Sequence, residues 1–334
     1  MIVDLPFIWA MLIAIAVLMY VVLDGFDLGI GILFPTIKGE RNRDLMMKSI
    51  APVWDGNETW LVLGGGGLFA VFPLAYSVLL TAFYAPLIAM LLALVFRGVA
   101  FEFRFKDRKH KPLWDLAFAG GSTAAAFSQG VVLGAFIQGI EIEGRSYAGG
   151  WFDWLTPFSL FTGLALVLGY ALLGAGWLVM KSTGALQQRV YVIMRPLALA
   201  TLAAIAAVSL WTPLLNEEIA ERWFSWPNIV YLSPVPLLVA AGAAGLYRAI
   251  QLKRQVQPFV LTLGLFLLSY LGLGISLYPY IIPPEVTLWV AAAPDESLAF
   301  LLVGTLVLLP LIFAYTAYSY WVFRGKVKLD DGHD

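Results

Sequence analysis

Four acidic residues lie in parts of the sequence that are otherwise almost entirely apolar. Asp24 and Asp27 are three residues apart, and Asp55 and Glu58 have the same spacing, so each pair shares one face of a helix. A charged side chain at the centre of a membrane span costs about 3 kcal/mol, so carboxyl groups there are functional candidates. A row of carboxyl groups can pass protons, and these four acids are therefore candidates for a proton route.

A single arginine, Arg97, lies in the next apolar run. Asp27 and Arg97 lie about two helical turns from the ends of their runs, so we expect them to form an ion pair. A buried pair that only fixes the helix register is the alternative for Arg97. One arginine cannot neutralise four acids, however, and the surplus carboxyl groups favour a relay.

These residues must be positioned by helices that cross a membrane. The 334-residue chain is 60% hydrophobic and 13% charged, with a mean hydropathy of +0.83, whereas soluble domains carry about 25% charged residues. A soluble fold, a disordered chain and a nucleic-acid-binding protein are excluded. The sequence predicts an all-α polytopic membrane protein, with the second and third helices divided at Phe72-Pro73. Nine runs are long enough to cross ~30 Å of hydrocarbon: 7–34, 52–73, 77–103, 115–140, 156–180, 189–212, 231–250, 258–279 and 297–323.

The distribution of charge predicts the orientation of these spans. With the N-terminus outside and the C-terminus inside, 17 of the 21 Lys and Arg residues fall in cytoplasmic segments. The outer loops are acidic and contain only Arg145 and Arg222 among the basic residues. The outer segment 214–228 is either a short amphipathic helix or an ordered loop. The intramembrane acids and Arg97 then lie in the cytoplasmic half of the first four helices.

The sequence offers few residues that could hold a cofactor. It has no cysteine and only two histidines, His110 and His333, neither of which lies in a predicted span. A buried haem or metal would therefore need another ligand or another chain. The glycine run 64–67 is not followed by Lys-Ser/Thr, so ATP binding is not indicated.

Four runs of sequence together resemble subunit II of the cytochrome bd quinol oxidases. They are LDGFDLG at 23–29, SIAPVWDGNETW at 49–60, FRGVAFEFR at 96–104 and Trp114-Asp115. Their order and spacing agree with that family, and the resemblance extends over the whole chain. The chain is short for the family and resembles its cyanide-insensitive branch.

The resemblance implies a complex of the bacterial inner membrane that oxidises quinol and reduces oxygen to water. It implies two b-type haems and one d-type haem, all held by subunit I together with the quinol site. It also implies two four-helix bundles, 1–140 and 141–290, and a peripheral ninth helix with a tail, 291–334, with the first bundle packed against subunit I. A structural quinone or lipid in this subunit and a small single-helix accessory subunit are compatible with it.

The resemblance also gives roles to particular residues. The proton route would be lined by Asp55 and by either Asp24 or Asp27. The additional carboxyl group of Glu58 alters the finer details of that route. Trp60 resembles a tryptophan on the oxygen-access route. Arg97, Asp27 and Asp115 match positions associated with assembly of the haem pair in subunit I. The chain departs from the longer family members at Val53, where histidine is common, and at Glu58, where glutamine is common.

Two other functions fit the same residues. A proton-coupled secondary transporter could use intramembrane acids beside an arginine, but no internal repeat is visible and the charges lie toward one side of the membrane. A purely structural partner that conducts nothing is the second alternative.

Overall fold

The structure is a computed structural model that describes residues 4–107 and 109–328. Arg108, which the charge count included, and His333 lie outside the described residues. The fold of the described part is almost entirely helical, with two short antiparallel hairpins, β1 (Ile142–Glu143) with β2 (Ser146–Tyr147) and β3 (Tyr280–Ile282) with β4 (Val286–Thr287). The helices are α1 (Leu5–Leu33), α2 (Glu40–Ile50), α3 (Trp54–Val71), α4 (Pro73–Ala82), α5 (Tyr84–Phe103), α6 (Lys111–Gln138), α7 (Pro157–Lys181), α8 (Gly184–Leu215), α9 (Glu217–Phe224), α10 (Asn228–Leu232), α11 (Pro234–Gln251), α12 (Gln257–Leu277), α13 (Leu288–Ala291) and α14 (Asp295–Val322).

Eight helices in the described part of the chain are long and apolar enough to cross a membrane. They correspond to eight of the nine predicted spans. The ninth, predicted at 52–73, forms α3, but its first turns contain Asp55, Asn57 and Glu58 and its middle contains four glycines. These residues lower its hydropathy, so the count of nine spans stays a prediction.

The third predicted span, 77–103, was wrong in its boundaries. The helix breaks at Phe83 (φ −107°, ψ 21°), which separates α4 from the 20-residue α5. Pro86 lies in the first turn of α5 and has no N–H to donate to the carbonyl of Ala82, so a continuous helix is disfavoured there. The division at Phe72-Pro73 is confirmed, because α3 ends at Val71 and α4 begins at Pro73.

Two amphipathic segments form short helices between the spans. The basic connection after α1 contains α2, which has eleven residues. The outer segment 214–228 contains α9, whose Trp223 indole donates to the Ser276 hydroxyl at 2.8 Å. The helical interpretation of that segment is therefore confirmed.

The core of the molecule is built where α1 and α7 cross. A Cβ on Gly29 would overlap the carbonyl of Tyr170, and one on Gly174 would overlap the backbone of α1 at Gly29. The two backbones can approach this closely only because both positions lack a side chain. Helices α3, α6, α8 and α12 pack around this pair, and α14 packs on α1 and α3.

The basic connections lie together at one end of the helices. The backbone N–H of Val327, after α14, donates to the carbonyl of Lys181 at the end of α7 at 2.8 Å. Trp177 of α7 donates to the carbonyl of Ser49 in α2. In the connection between α11 and α12, Lys253 donates to Gln188 of α8 at 2.9 Å. The basic segments that the sequence predicts on one side of the membrane therefore lie at the same end of the helices.

Candidate functional site

Three acidic side chains surround the Arg97 guanidinium inside the helices. Arg97, on α5, is fully buried and lies 2.8 Å from Asp24 and 3.9 Å from Asp27, both fully buried on α1. Its second terminal nitrogen lies 3.0 Å from Glu58 of α3, whose side chain is 28% exposed. We call these four residues the Arg97 cluster. The predicted ion pair with Asp27 is only the longest contact, because Asp24 and Glu58 are closer.

The Arg97 guanidinium is also covered by aromatic rings. Its central carbon lies 5.1 Å from the ring centre of Trp54 and 5.5 Å from that of Phe101. The two rings stack on each other with centroids 4.8 Å apart. Rings hold the guanidinium plane through cation–π attraction while the carboxyl groups approach its edge. A Cβ on Gly121 of α6 would meet the backbone of α5 at Arg97, so glycine allows α6 to pack closely there.

A hydrogen-bonded chain joins Asp27 to the last described helix. The side-chain amide of Asn57 donates to Asp27 at 2.7 Å, and the hydroxyl of Tyr320 donates to the amide oxygen of Asn57 at 2.8 Å. Tyr320 belongs to α14, so the helix predicted to be peripheral contacts the buried acids through a single polar side chain.

A second polar chain lies one turn of α1 before Asp24. Gln129 of α6 donates to the hydroxyl of Tyr20 at 2.7 Å and accepts from the hydroxyl of Tyr170 at 2.8 Å. Tyr20 and Asp24 are four residues apart and share a face of α1. Polar side chains from α6 and α7 are thus brought beside the acids of α1.

Asp55 and Trp60 do not belong to the Arg97 cluster. Asp55 is exposed on the outer surface of α3. Trp60 is 2% exposed and packs between α1 and α14, with its ring 5.1 Å from that of Phe313. The first turn of α3 thus directs Glu58 inward and Asp55 outward.

Asp115 belongs to a separate ion-pair network at the basic end. The fully buried Arg104 lies 2.5 Å from Asp115 of α6 and 2.5 Å from Asp44 of α2. Arg43 of α2 approaches Asp115 at 2.9 Å, and Lys111 approaches Asp44 at 3.4 Å. This network fastens α2 to the ends of α5 and α6. The structure therefore does not place Asp115 with Arg97 and Asp27.

Several residues of the site escaped the sequence analysis. Asn57 lies in the run 49–60, but an asparagine at that position is equally common on the surface of a helix, so its type did not indicate a role. Arg104 directly follows the predicted span 77–103, and its place beside that apolar run was a signal for burial. Tyr320 and Gln129 contact the site across 263 and 109 residues of chain. Such distant contacts leave no local pattern.

The donor set of this chain does not fit a haem or a metal ion. Among the described residues, no group of three or more His, Asp or Glu side chains could hold a metal ion. His110 lies in the connection between α5 and α6, where its ring contacts Asp107 at 2.8 Å. That contact lowers the pKa of Asp107. A haem iron would find no imidazole or thiolate within the described spans.

Comparisons with known proteins agree along almost the whole chain. The family model for cytochrome bd terminal oxidase subunit II matches residues 5–323. Cytochrome bd-I ubiquinol oxidase subunit 2 of Escherichia coli strain K12 is 30% identical, over 98% of this chain and 96% of its own length. Cytochrome bd ubiquinol oxidase subunit 2 of Bacillus subtilis strain 168 is 28% identical, over 96% of each chain.

A solved structure gives the same result for the fold. A chain of the bd oxidase from Geobacillus thermodenitrificans superposes with a TM-score of 0.75, covering 96% of this chain and 99% of its own, at 18% identity. The sequence matches and the shared helical fold extend over the same residues that form the Arg97 cluster. This chain therefore belongs to the cytochrome bd terminal oxidase subunit II family.

Proposed function

We propose that the carboxyl groups of this chain carry protons from the cytoplasm toward an oxygen-reducing haem in a partner subunit. Membership of the family makes the chain a multi-pass protein of the bacterial inner membrane and a component of a bd-type quinol oxidase. The observation that carries the proposal is the Arg97 cluster, in which three carboxyl groups surround one guanidinium.

The charge of the cluster is the physical basis of the relay. With all three carboxyl groups ionised, one arginine would leave two negative charges in apolar surroundings. Burying uncompensated charge is expensive, and a carboxyl group can avoid that cost by holding a proton. The second oxygens of Asp24 and Asp27 are buried and have no hydrogen-bond partner among the described residues. A cluster of this kind can accept a proton and release it again.

The proposed route begins at the exposed surface of α3. Asp55 lies on that surface, Glu58 is three residues further into the helix, and Asp24 and Asp27 are fully buried behind it. Partner subunit I covers the exposed surface further along α3, at Val62, Gly65 and Gly66, and leaves the end that carries Asp55 open. Contact with subunit I keeps the polar residues of α3 out of the lipid, so α3 serves as the second span. The chain then has nine spans, with its N-terminus outside and its C-terminus inside.

The redox groups belong to the partner in this proposal. Subunit I holds the b-type and d-type haems and the quinol site, and the haems supply the electrons that reduce oxygen. The lack of a haem donor set in this chain supports that division. We further propose that the chain forms two four-helix bundles, 1–140 and 141–290, and a peripheral ninth helix. We also propose that this subunit holds a structural quinone or lipid. A small single-helix accessory subunit completes the proposed complex.

Two further roles concern the haem pair and oxygen. Arg97 and Asp27 keep the haem pair of subunit I assembled by fixing the face of this chain against the partner. Asp115 contributes from the separate network around Arg104, at the ends of α5 and α6. Trp60 lines the oxygen route, a role supported by its buried place between α1 and α14.

The proposal is tested by single Asp→Asn substitutions at Asp24, Asp27 and Asp55 in the assembled oxidase. We expect quinol-driven oxygen consumption per haem to fall by at least about tenfold, because general acid–base steps contribute about 10²–10⁴-fold. Loss of haem together with activity in the Asp27 variant would support its assembly role. The exposed Asp295 provides a matched control. Unchanged turnover with normal haem content would favour a purely structural partner.

A further inference from the structure

A basic cavity lies where the ends of α2, α7 and α14 meet. Its volume is about 270 Å³, and its lining includes Lys48, Lys181, Arg324 and Lys326 but no acidic residue. It lies at the end of the helices where the basic connections gather. The proton route does not use any of these four cations.

Two of the four cations of this cavity, Lys181 and Lys326, donate to carbonyl groups. Lys181 is 7% exposed, and its ammonium donates to the Phe323 carbonyl at 2.6 Å. The same ammonium lies 4.9 Å from the ring centre of Trp177. The Lys326 ammonium donates to the Ser182 carbonyl at 3.1 Å. Within residues 4–107 and 109–328, no carboxylate forms an ion pair with any of the four cations.

Four positive charges around one cavity create a strong local preference for an anion. A recess lined by one sign of charge concentrates the potential and attracts counter-ions. Burial lowers the pKa of Lys326, so this ammonium lacks the compensation that a neighbouring anion would provide. The charge and the volume both suit a phosphate group.

The surroundings of the cavity favour a lipid as the source of that phosphate. The outer surface of α14 beside it is apolar and exposed, at Tyr318, Val322 and Phe323. Acyl chains could continue along this surface while the headgroup enters the cavity. Basic pockets between helices at the cytoplasmic surface are suited to anionic headgroups.

We propose that this cavity binds the phosphate of an anionic lipid headgroup. The cavity shares Tyr320 with the polar chain that leads to Asp27, so the test leaves Tyr320 unchanged and measures occupancy without oxygen turnover. Failure of this proposal would therefore leave the proton route untouched.

The test compares two double variants of the complete oxidase complex after removal of bound lipid. Lys48→Gln with Arg324→Gln removes two cavity charges that make no buried hydrogen bond, so folding is preserved. Lys38→Gln with Lys109→Gln removes two exposed charges at the same end of the molecule and serves as control. Native mass spectrometry then measures the binding of added phosphatidylglycerol, phosphatidylcholine and inorganic phosphate.

We expect the parent and the control each to bind one phosphatidylglycerol molecule. Added phosphatidylcholine should not displace it. Loss of two cavity charges should weaken this binding by about thirtyfold, since each basic group near an anionic surface contributes about fivefold. Equal phosphatidylglycerol binding by all three proteins would overturn the proposal. Displacement of the lipid by millimolar inorganic phosphate would also overturn it, in favour of a free phosphate site.

Discussion

At the scale of single residues, Arg97 decides the arrangement of the site. One terminal nitrogen of its guanidinium contacts Asp24 and the other contacts Glu58. The rings of Trp54 and Phe101 lie within cation–π distance of the same guanidinium. A lysine would supply one point charge and could not present two hydrogen-bonding edges at fixed angles. The identity of this residue therefore matters beyond its charge.

Replacement of Arg97 by glutamine is expected to destabilise the assembled complex strongly. Removal of one member of a buried ion pair typically costs about 3–5 kcal/mol, because the remaining charges stay buried without a partner. We expect reduced yield and reduced haem content, measured by absorption of the purified complex. Arg195→Gln, at an exposed position of α8, is the control. Normal yield and haem content in the Arg97 variant would contradict this account.

Tyr320→Phe removes a single hydroxyl from the chain that leads to Asp27. The loss of one hydrogen bond is expected to cost about 1 kcal/mol of stability, and Asn57 would hold Asp27 less firmly. We expect a lower melting temperature and slower oxygen consumption, compared with Tyr318→Phe, whose ring is 61% exposed on the same helix. Identical behaviour of the two variants would mean that Tyr320 does not act on the site.

At the scale of elements, the contact between α1 and α7 places the acids. The two backbones touch at Gly29 and Gly174, and Asp24 and Asp27 lie within two turns of this point. A Cβ on Gly25 would likewise overlap the ring of Tyr170. A disturbance at this crossing would move both acids relative to Arg97.

Gly29→Ala tests that dependence. The added methyl group would overlap the Tyr170 carbonyl, so the helices must separate. Overpacking of a tight core typically costs about 1–3 kcal/mol, and we expect both a lower melting temperature and lower oxygen consumption. Gly304→Ala on α14, where a Cβ meets nothing within 4 Å, should be neutral or stabilising. Equal melting temperatures for the two variants would contradict the proposed role of this contact.

At the scale of the whole molecule, the sequence predicted the helical architecture and the group of acids near Arg97. Apolar runs and charge asymmetry depend only on the order of residues, and they located eight spans, one of them with a wrong start. The choice of Asp24 over Asp27 as the nearest partner depends on the rotation of α5 about its axis, which the sequence does not specify. The break at Phe83 had a local signal in Pro86, but the apolar residues around it concealed the break.

The remaining differences come from contacts between distant parts of the chain. Asp115 has the charge of a partner for Arg97, yet Arg104 and Arg43 hold it at the end of α6. Asp55 has the spacing of a buried acid, yet the rotation of α3 directs it outward. Only the packing of helices against each other decides between such alternatives.

The most direct test of the central claim is proton uptake by the complete oxidase in closed vesicles. A pH indicator on the side of the basic connections would follow uptake during oxygen reduction by the parent, Asp24→Asn, Asp27→Asn and the control Asp295→Asn. We predict that uptake from that side, normalised to haem content, is slowed in both cluster variants and unchanged in the control. Uptake at the parental rate in the Asp24 and Asp27 variants would show that the buried acids are not on the proton route.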